Sequence, residues 1–251
     1  MPEKFKDHFS EQSAIYARSR PGYPDELYQF LFHQVRSFGK AWDCATGNGQ
    51  VAIHLAERFE KVIATDASAG QLEHARPHER IIYEQANAED PDIEVNSIDL
   101  ITVGTAVHWF DQERFYSAVD KVLKRGGILA VWSYNHMQVS EELDVIMDVF
   151  TERTMEPYWP EEAKRNFRGK YQDIELPYPE INAPEFEMKV EWGLMQLYDY
   201  IHSWSASKNY KAQHDEVSLN LIKTELETAW GDPERKRRIC WPLNMRVCRK
   251  Q

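Results

Sequence analysis

The sequence predicts an α/β protein built on a mostly parallel sheet with helices on both faces. Three observations predict it. Short apolar runs alternate with helical patterns from about residue 40 to 133. A glycine-containing turn follows the first apolar run. An acid, Asp66, closes the second run. Strand–helix alternation at this spacing calls for crossover connections, and crossovers make parallel sheets.

The elements follow in order. Residues 1–24 are aromatic-rich and end in RSRPGYP, where two prolines break any helix. A helix is predicted from Asp25, with Leu27, Phe30, Leu31 and Val35 on one face. Ala41–Cys44 reads as the first strand and Val51–Phe59 as a helix. Lys61–Thr65 is the second strand. Ser68 caps a helix through about Arg76, which Pro77 stops. Strands follow at Ile81–Glu84 and Ile98–Val103. Asp111 caps a helix to about Lys124, Arg125-Gly126-Gly127 ends it, and Ile128–Trp132 is the fifth strand.

After Ser140 the rhythm changes. Glu141–Arg153 reads as a helix, 154–184 as loops with short helices, and Glu185–Trp192 as a strand. Leu194–Trp204 and Val217–Trp230 read as helices, and Arg238–Cys248 as a closing strand. The division expected is an N-terminal segment (1–24), a ligand-binding core (25–140), and an inserted helical and loop cap (141–251) whose final strands complete the sheet.

Composition excludes several classes. Of 251 residues, 42% are hydrophobic and 12% aromatic, enough for a core and too many for a disordered chain. The net charge is −11, from 30 Lys+Arg and 41 Asp+Glu. That argues against a broad nucleic-acid footprint, which needs clustered cations. The charge is uneven: residues 141–191 hold 14 acids and 6 bases, while 231–251 hold 7 bases and 2 acids. Three cysteines (Cys44, Cys240, Cys248) suit reduced, buried thiols rather than a disulfide framework. Nine histidines show no i, i+4 pairing to a carboxylate, so no metal site is expected. The charged first residues do not read as a signal peptide. No window reaches the ~18 apolar residues of a membrane span. A cytoplasmic protein is expected, without nucleic-acid or membrane partners, as a monomer or homodimer.

The strongest local signal is AWDCATGNGQVAIHLA, starting at Ala41. A strand enters a turn with small residues at Ala45, Gly47 and Gly49, and a helix follows. A ligand approaches backbone closely only where side chains are missing. Asp66, at the next strand end, is placed to accept hydrogen bonds from both ribose hydroxyls. The turn lacks the G-x-G-x-x-G of dinucleotide sites. It also carries an acid, Asp43, that repels a pyrophosphate and suits an ammonium group. A ribose at one end and an amino-acid portion at the other describe S-adenosylmethionine (SAM). The structural alternative is that the glycines merely shape a turn.

The ordered set DCATGNG, ATDAS, QANAED, SIDLITVGTAVHWFD and LKRGGILAVW resembles the class I SAM-dependent methyltransferases over about residues 40–133. SAIYARSRPGYP, the HWFD segment and LYDYIHSWSA are similar to the small-molecule branch that includes trans-aconitate methyltransferase-like proteins. The resemblance implies a Rossmann-like, seven-stranded sheet whose last strand runs antiparallel. It places Asp43 near the methionine amino group and lines the methionine portion with Ala45, Thr46 and Gly47. Asp66 would hold the ribose, Ala67 flank the adenine, Asn87 and Ala88 read the adenine edge, and Thr105 lie beside the methionine. Two departures stand out. Ala45 replaces the usual first glycine, tolerable if its φ is negative. Asn87 stands where Asp is common, and an amide oxygen still accepts from an adenine amino group.

At the transfer site, His108 can orient the acceptor or remove a proton, and Trp109 can wall the pocket. The alternative is that Trp109 and Phe110 are core and His108 a satisfied structural histidine. The N-terminal segment carries Phe5, Phe9, Tyr16, Arg18, Arg20 and Tyr23. Read as a lid, it puts Tyr16 near the acceptor and Arg20 toward a carboxylate; read plainly, it is an amphipathic helix with solvated arginines. Trp192, Trp204 and Trp230 are expected in the core. The expected activity is SAM-dependent methyl transfer to a small-molecule acceptor, on an oxygen such as a carboxylate or hydroxyl. The alternatives are an NAD-dependent oxidoreductase, a non-catalytic SAM-binding relative acting in a complex, and a macromolecular methyltransferase.

Overall fold

The computed structural model describes residues 21–134, 136–169 and 171–251, and for residues 165–168 the backbone alone. Helix α1 (Asp25–Gln34) precedes β1 (Lys40–Cys44), α2 (Gln50–Ala56), β2 (Lys61–Asp66), α3 (Ala69–Leu72) and β3 (Ile81–Gln85). Then come β4 (Ile98–Gly104), α4 (Gln112–Val122) and β5 (Leu123–Tyr134). The remainder supplies α5 (Glu141–Val149), α6 (Glu161–Gly169), β6 (Glu180–Ile181), β7 (Phe186–Trp192), α7 (Leu194–His202), α8 (Ser205–His214), α9 (Lys223–Trp230) and β8 (Arg237–Arg249).

The sheet order is β3-β2-β1-β4-β5-β8-β6, with β7 also paired to β8. The first five strands are parallel, and β8 runs antiparallel to β5. The strand count is eight rather than seven because β6 and β7 divide one edge of β8 between them. Strand β4 is central and covered on both faces. That is why six of the seven residues of IDLITVG are buried, with Asp99 and Thr102 hydrogen-bonded among the apolar ones.

One core face carries Ala41, Leu100, Ala130 and Trp132 and packs on Leu27 and Leu31 of α1 and Leu55 of α2. The same cluster takes in Leu143, Leu197, Trp204, Trp230 and Trp241, so the residues after 140 share this core. Trp204 and Trp230 are buried there and Trp192 packs against the cluster, as expected. The opposite face buries Trp42, Ile101, Val103 and Val131 beneath Phe115, Val119 and Val122 of α4.

Element ends moved where tertiary pairing overrode local pattern. The Ser68 helix stops at Leu72, where hydrogen bonds tighten to three-residue spacing ahead of Pro77. Residues 123–127 are already strand: Leu123 pairs with Ile98, and the next pair is Leu100 with Ile128. Gly126, at φ 81°, permits this bulge, and its N–H reaches the Lys250 carbonyl at 2.7 Å. Glu141–Arg153 changes at Phe150 from α-helix to a π-helical turn. The polar sequence of α8 gave too weak a stripe to read.

Asp99 pins the strand bases together. Its carboxylate accepts from Lys124 Nζ at 2.8 and 2.9 Å, Ser37 Oγ at 2.5 Å and the Lys40 N–H at 3.0 Å. Burial acts to raise its pKa, but the Lys124, Ser37 and Lys40 bonds together hold it below the usual carboxylate value. Its stabilising contribution is therefore present above the unfolded-state pKa and lost as pH falls through the depressed folded value. Asp99→Ala is expected to cost about 2 kcal/mol in urea unfolding at neutral pH, with a smaller difference from the parent protein in acid.

Candidate active site

The turn after β1 reverses sharply into α2. The Thr46 N–H donates to the Thr65 carbonyl at 2.9 Å, and the Gly49 N–H to the Thr46 carbonyl at 3.0 Å. Gly47 and Gly49 have φ of 58° and 82°. A Cβ on Gly49 would lie 2.3 Å from the Tyr83 hydroxyl, whereas on Gly47 the nearest atom would be Gln71 Oε1 at 3.8 Å. Gly49 is thus required by packing, while Gly47 leaves open space on the ligand side. Ala45 has φ of 55°, so the premise of a negative φ fails. The alanine is held in the left-handed region at a cost of about 1 kcal/mol.

Asp66 stands at the end of β2. Its Oδ2 accepts from the Gly47 N–H and its Oδ1 from the Ser68 N–H, both at 2.8 Å. These bonds orient the carboxylate and join the loops that follow β1 and β2. Asp43, on β1, is 1% exposed. Its oxygens accept from Thr46 Oγ1 at 2.5 Å and from Thr102 Oγ1 of β4 at 2.7 Å. Burial pushes its pKa up to about 6, against the hydrogen bonds from Thr46, Thr102 and the Ala52 backbone, with Asp66 adding repulsion.

A cleft opens across these strand ends. Of the expected cofactor residues, Ala45, Gly47, Asp66, Ala67, Asn87, Ala88 and Thr105 line it, as does Trp109. Asp43 and Thr46 do not; both are buried and brace the turn from behind. Gln71, Glu89, Gly104 and Phe110 also line the cleft and were missed. Glu89 was legible as the acid after Asn87-Ala88: its Oε1 accepts from the Asp111 N–H at 3.0 Å, tying that wall of the cleft to the start of α4.

Thr105 closes the floor at φ 56°, a rare conformation for a β-branched residue. Its N–H donates to the Trp132 carbonyl at 2.7 Å, and its hydroxyl lies 3.1 Å from Tyr23 Oη. Tyr23 in turn packs edge-on against Trp132 at 5.3 Å. His108 sits on a 3-10 turn, Val107–Trp109, and does not line the cleft. Its Nδ1 is 2.8 Å from Tyr171 Oη, and burial pushes its pKa down to about 3. A ring that weakly basic is a poor general base. Tyr16 and Arg20, with Phe5, Phe9 and Arg18, lie outside the described residues.

The donor set fits an adenosyl ligand. It comprises an oriented carboxylate at one strand end, an open glycine cradle at Gly47, and small residues Ala67 and Ala88 where a planar base would lie. Among the described residues, no group of three His, Cys, Asp or Glu is placed to hold a metal ion.

The comparisons with known proteins agree with this geometry. Residues 42–131 match the methyltransferase domain family. A Dictyostelium discoideum protein assigned to the methyltransferases is 32% identical over 231 residues, covering 90% of this chain and 88% of that one. A structure from Anaeromyxobacter dehalogenans, assigned as a type II methyltransferase, is 33% identical with a TM-score of 0.84, covering 92% of this chain and 97% of that one. A Saccharomyces cerevisiae SAM-dependent methyltransferase is 29% identical over 132 residues, 49% of this chain and 45% of its own. The chain belongs to the class I SAM-dependent methyltransferase family.

Two predictions follow from the turn. Ala45→Gly is expected to raise stability by up to about 1 kcal/mol in thermal unfolding, whereas Gly49→Ala costs about 2 kcal/mol through strain and the Tyr83 clash. Asp43 also gives a pH signature. Its folded pKa is raised, so its contribution is present below the unfolded pKa of 3.8 and lost as pH rises through about 6. Between about pH 4 and 7 the parent protein should lose roughly 3 kcal/mol relative to Asp43→Asn, which cannot ionise, when both are unfolded in urea.

Proposed function

We propose that this methyltransferase acts on a small molecule and transfers the methyl group to an oxygen, such as that of a carboxylate or hydroxyl. SAM, when bound, supplies a methyl group on a positively charged sulfur. The observation that carries the reading is the cleft itself: Asp66 oriented by Gly47 and Ser68 at one end, and Thr105 with its Tyr23 contact at the other.

In this reading Asp66 accepts from the ribose hydroxyls, and Ala67, Asn87 and Ala88 flank the adenine. Ala45 and Gly47 present backbone to the methionine portion, with Thr46 bracing the turn behind them. Asp43 holds the turn in place and adds negative charge beneath the ammonium end. The acceptor lies on the Thr105 side, walled by Trp109 and Tyr23. Displacement at a sulfonium releases a neutral thioether and needs no acid, so the chain's task is alignment and exclusion of water. A carboxylate oxygen needs no base either, which suits a turn whose histidine is held neutral.

Tyr16 and Arg20 precede Tyr23 closely in sequence. We assign them to a lid over the cofactor, Tyr16 serving the methionine carboxylate or the acceptor and Arg20 supplying positive charge for a carboxylate. Among the described residues no helix is long and apolar enough to cross a membrane. A cytoplasmic monomer or homodimer without a nucleic-acid partner suits the −11 net charge. Residues 1–24, 25–140 and 141–251 serve as lid, cofactor-binding core and acceptor-side cap.

Calorimetry with S-adenosylhomocysteine is the test. Saturable binding is expected, with Asp66→Ala weakening it by about 2 kcal/mol, near thirtyfold. No binding at millimolar ligand, or tight binding of NADH instead, would sink the reading. Binding without any methyl acceptor in a broad metabolite screen would favour a non-catalytic relative.

A further inference from the structure

A second strained residue stands beside the site. Tyr171 is 1% exposed and has φ of 60°, a left-handed conformation that bulky residues rarely adopt. Such strain persists only where the surroundings over-determine it. Here they do. The Tyr171 carbonyl accepts from Arg246 Nη1 of β8 at 2.6 Å, and the Ile174 carbonyl accepts from the same nitrogen at 2.8 Å. Arg246 is itself held by the Glu180 carboxylate, Nε to Oε2 at 2.8 Å, with a second contact from Nη2 to Oε1.

The clamp aims one phenol. Tyr171 Oη lies 2.8 Å from His108 Nδ1, joining residues 63 apart in sequence. Between a phenol and a neutral imidazole the phenol is the stronger donor and the ring nitrogen the stronger acceptor, so the Tyr171 hydrogen goes to Nδ1. A neutral imidazole that accepts at Nδ1 carries its hydrogen on Nε2. Burial keeps the ring neutral.

We propose that Tyr171 is a positioning residue, fixing His108 as the neutral Nε2–H tautomer, so that the turn after β4, whose next residue Trp109 lines the cleft, carries a hydrogen-bond donor rather than a base. The use made of Nε2–H rests on the methyltransferase reading; the tautomer does not. The acceptor atom then brings its own lone pair, and any proton it carries leaves to water after the new bond forms, not to this ring.

The experiment is a long-range ¹H–¹⁵N correlation spectrum of the full chain labelled with ¹⁵N-histidine, with His108→Gln assigning the signal. The parent protein is expected to show His108 neutral and protonated on Nε2 from about pH 5 to 8. Tyr171→Phe is expected to shift the tautomer toward Nδ1–H while leaving S-adenosylhomocysteine affinity within about twofold by calorimetry. An Nδ1–H or charged ring in the parent protein, or an unchanged tautomer in Tyr171→Phe, overturns the proposal. Should Tyr171→Phe fail to fold, the parent spectrum decides alone. Loss of homocysteine-ligand binding in the parent counts against the methyltransferase reading, and the tautomer signal is read independently of it.

Discussion

The structure depends on a buried carboxylate at the centre of the sheet. Asp43 lies where β1 ends, and its two oxygens collect hydroxyls from the turn that follows and from the neighbouring strand. The turn after β1 and strand β4, far apart in sequence, thereby share one acceptor. That tie adds to the backbone bonds of Thr46 and Gly49 and the Asp66 bond to Gly47 that hold the turn with Ala45 in the left-handed region. The cost is a charge out of water, seen in a pKa raised to about 6. A ligand that places positive charge above the turn relieves that cost, which couples folding of the turn to binding.

The cleft builds outward from this brace. Asp66 takes two backbone N–H groups, one from each neighbouring loop, so its orientation is set before any ribose arrives. Glu89 fastens the opposite wall to the start of α4. Apart from Asn96 and Asp215, residue types that tolerate it, left-handed backbone at non-glycine residues falls at Ala45 and Thr105 of the cleft and at Tyr171 beside His108. Strain at such positions indicates surroundings that hold geometry against local preference.

Much of this was legible in the sequence because it is local. The strand-turn-helix of AWDCATGNGQVAIHLA and the Asp111 cap lie within a few residues of what they contact, and Asp66 is marked by its place at the next strand end. Non-local features were not legible. The sign of φ at Ala45 is set by packing of the whole turn, not by the alanine. The pairing of β6 and β7 with one strand depends on a β8 that is continuous over Arg237–Arg249. The Tyr171–His108 contact joins a loop of low pattern content to the HWFD segment, and nothing in either stretch names the other. His108 was read as a possible base from its place after β4; its environment, a buried aromatic corner, sets its chemistry instead.

The central claim is that the strand-end cleft takes the adenosyl group and directs the reacting sulfur toward Thr105. A crystal structure with S-adenosylhomocysteine tests it most directly. The account predicts the ribose hydroxyls on Asp66, the adenine between Ala67 and Asn87-Ala88, and the sulfur facing Thr105 with the Tyr23 and Trp109 rings beyond it. A ligand seated elsewhere, or one whose ribose makes no hydrogen bond to Asp66, would contradict it.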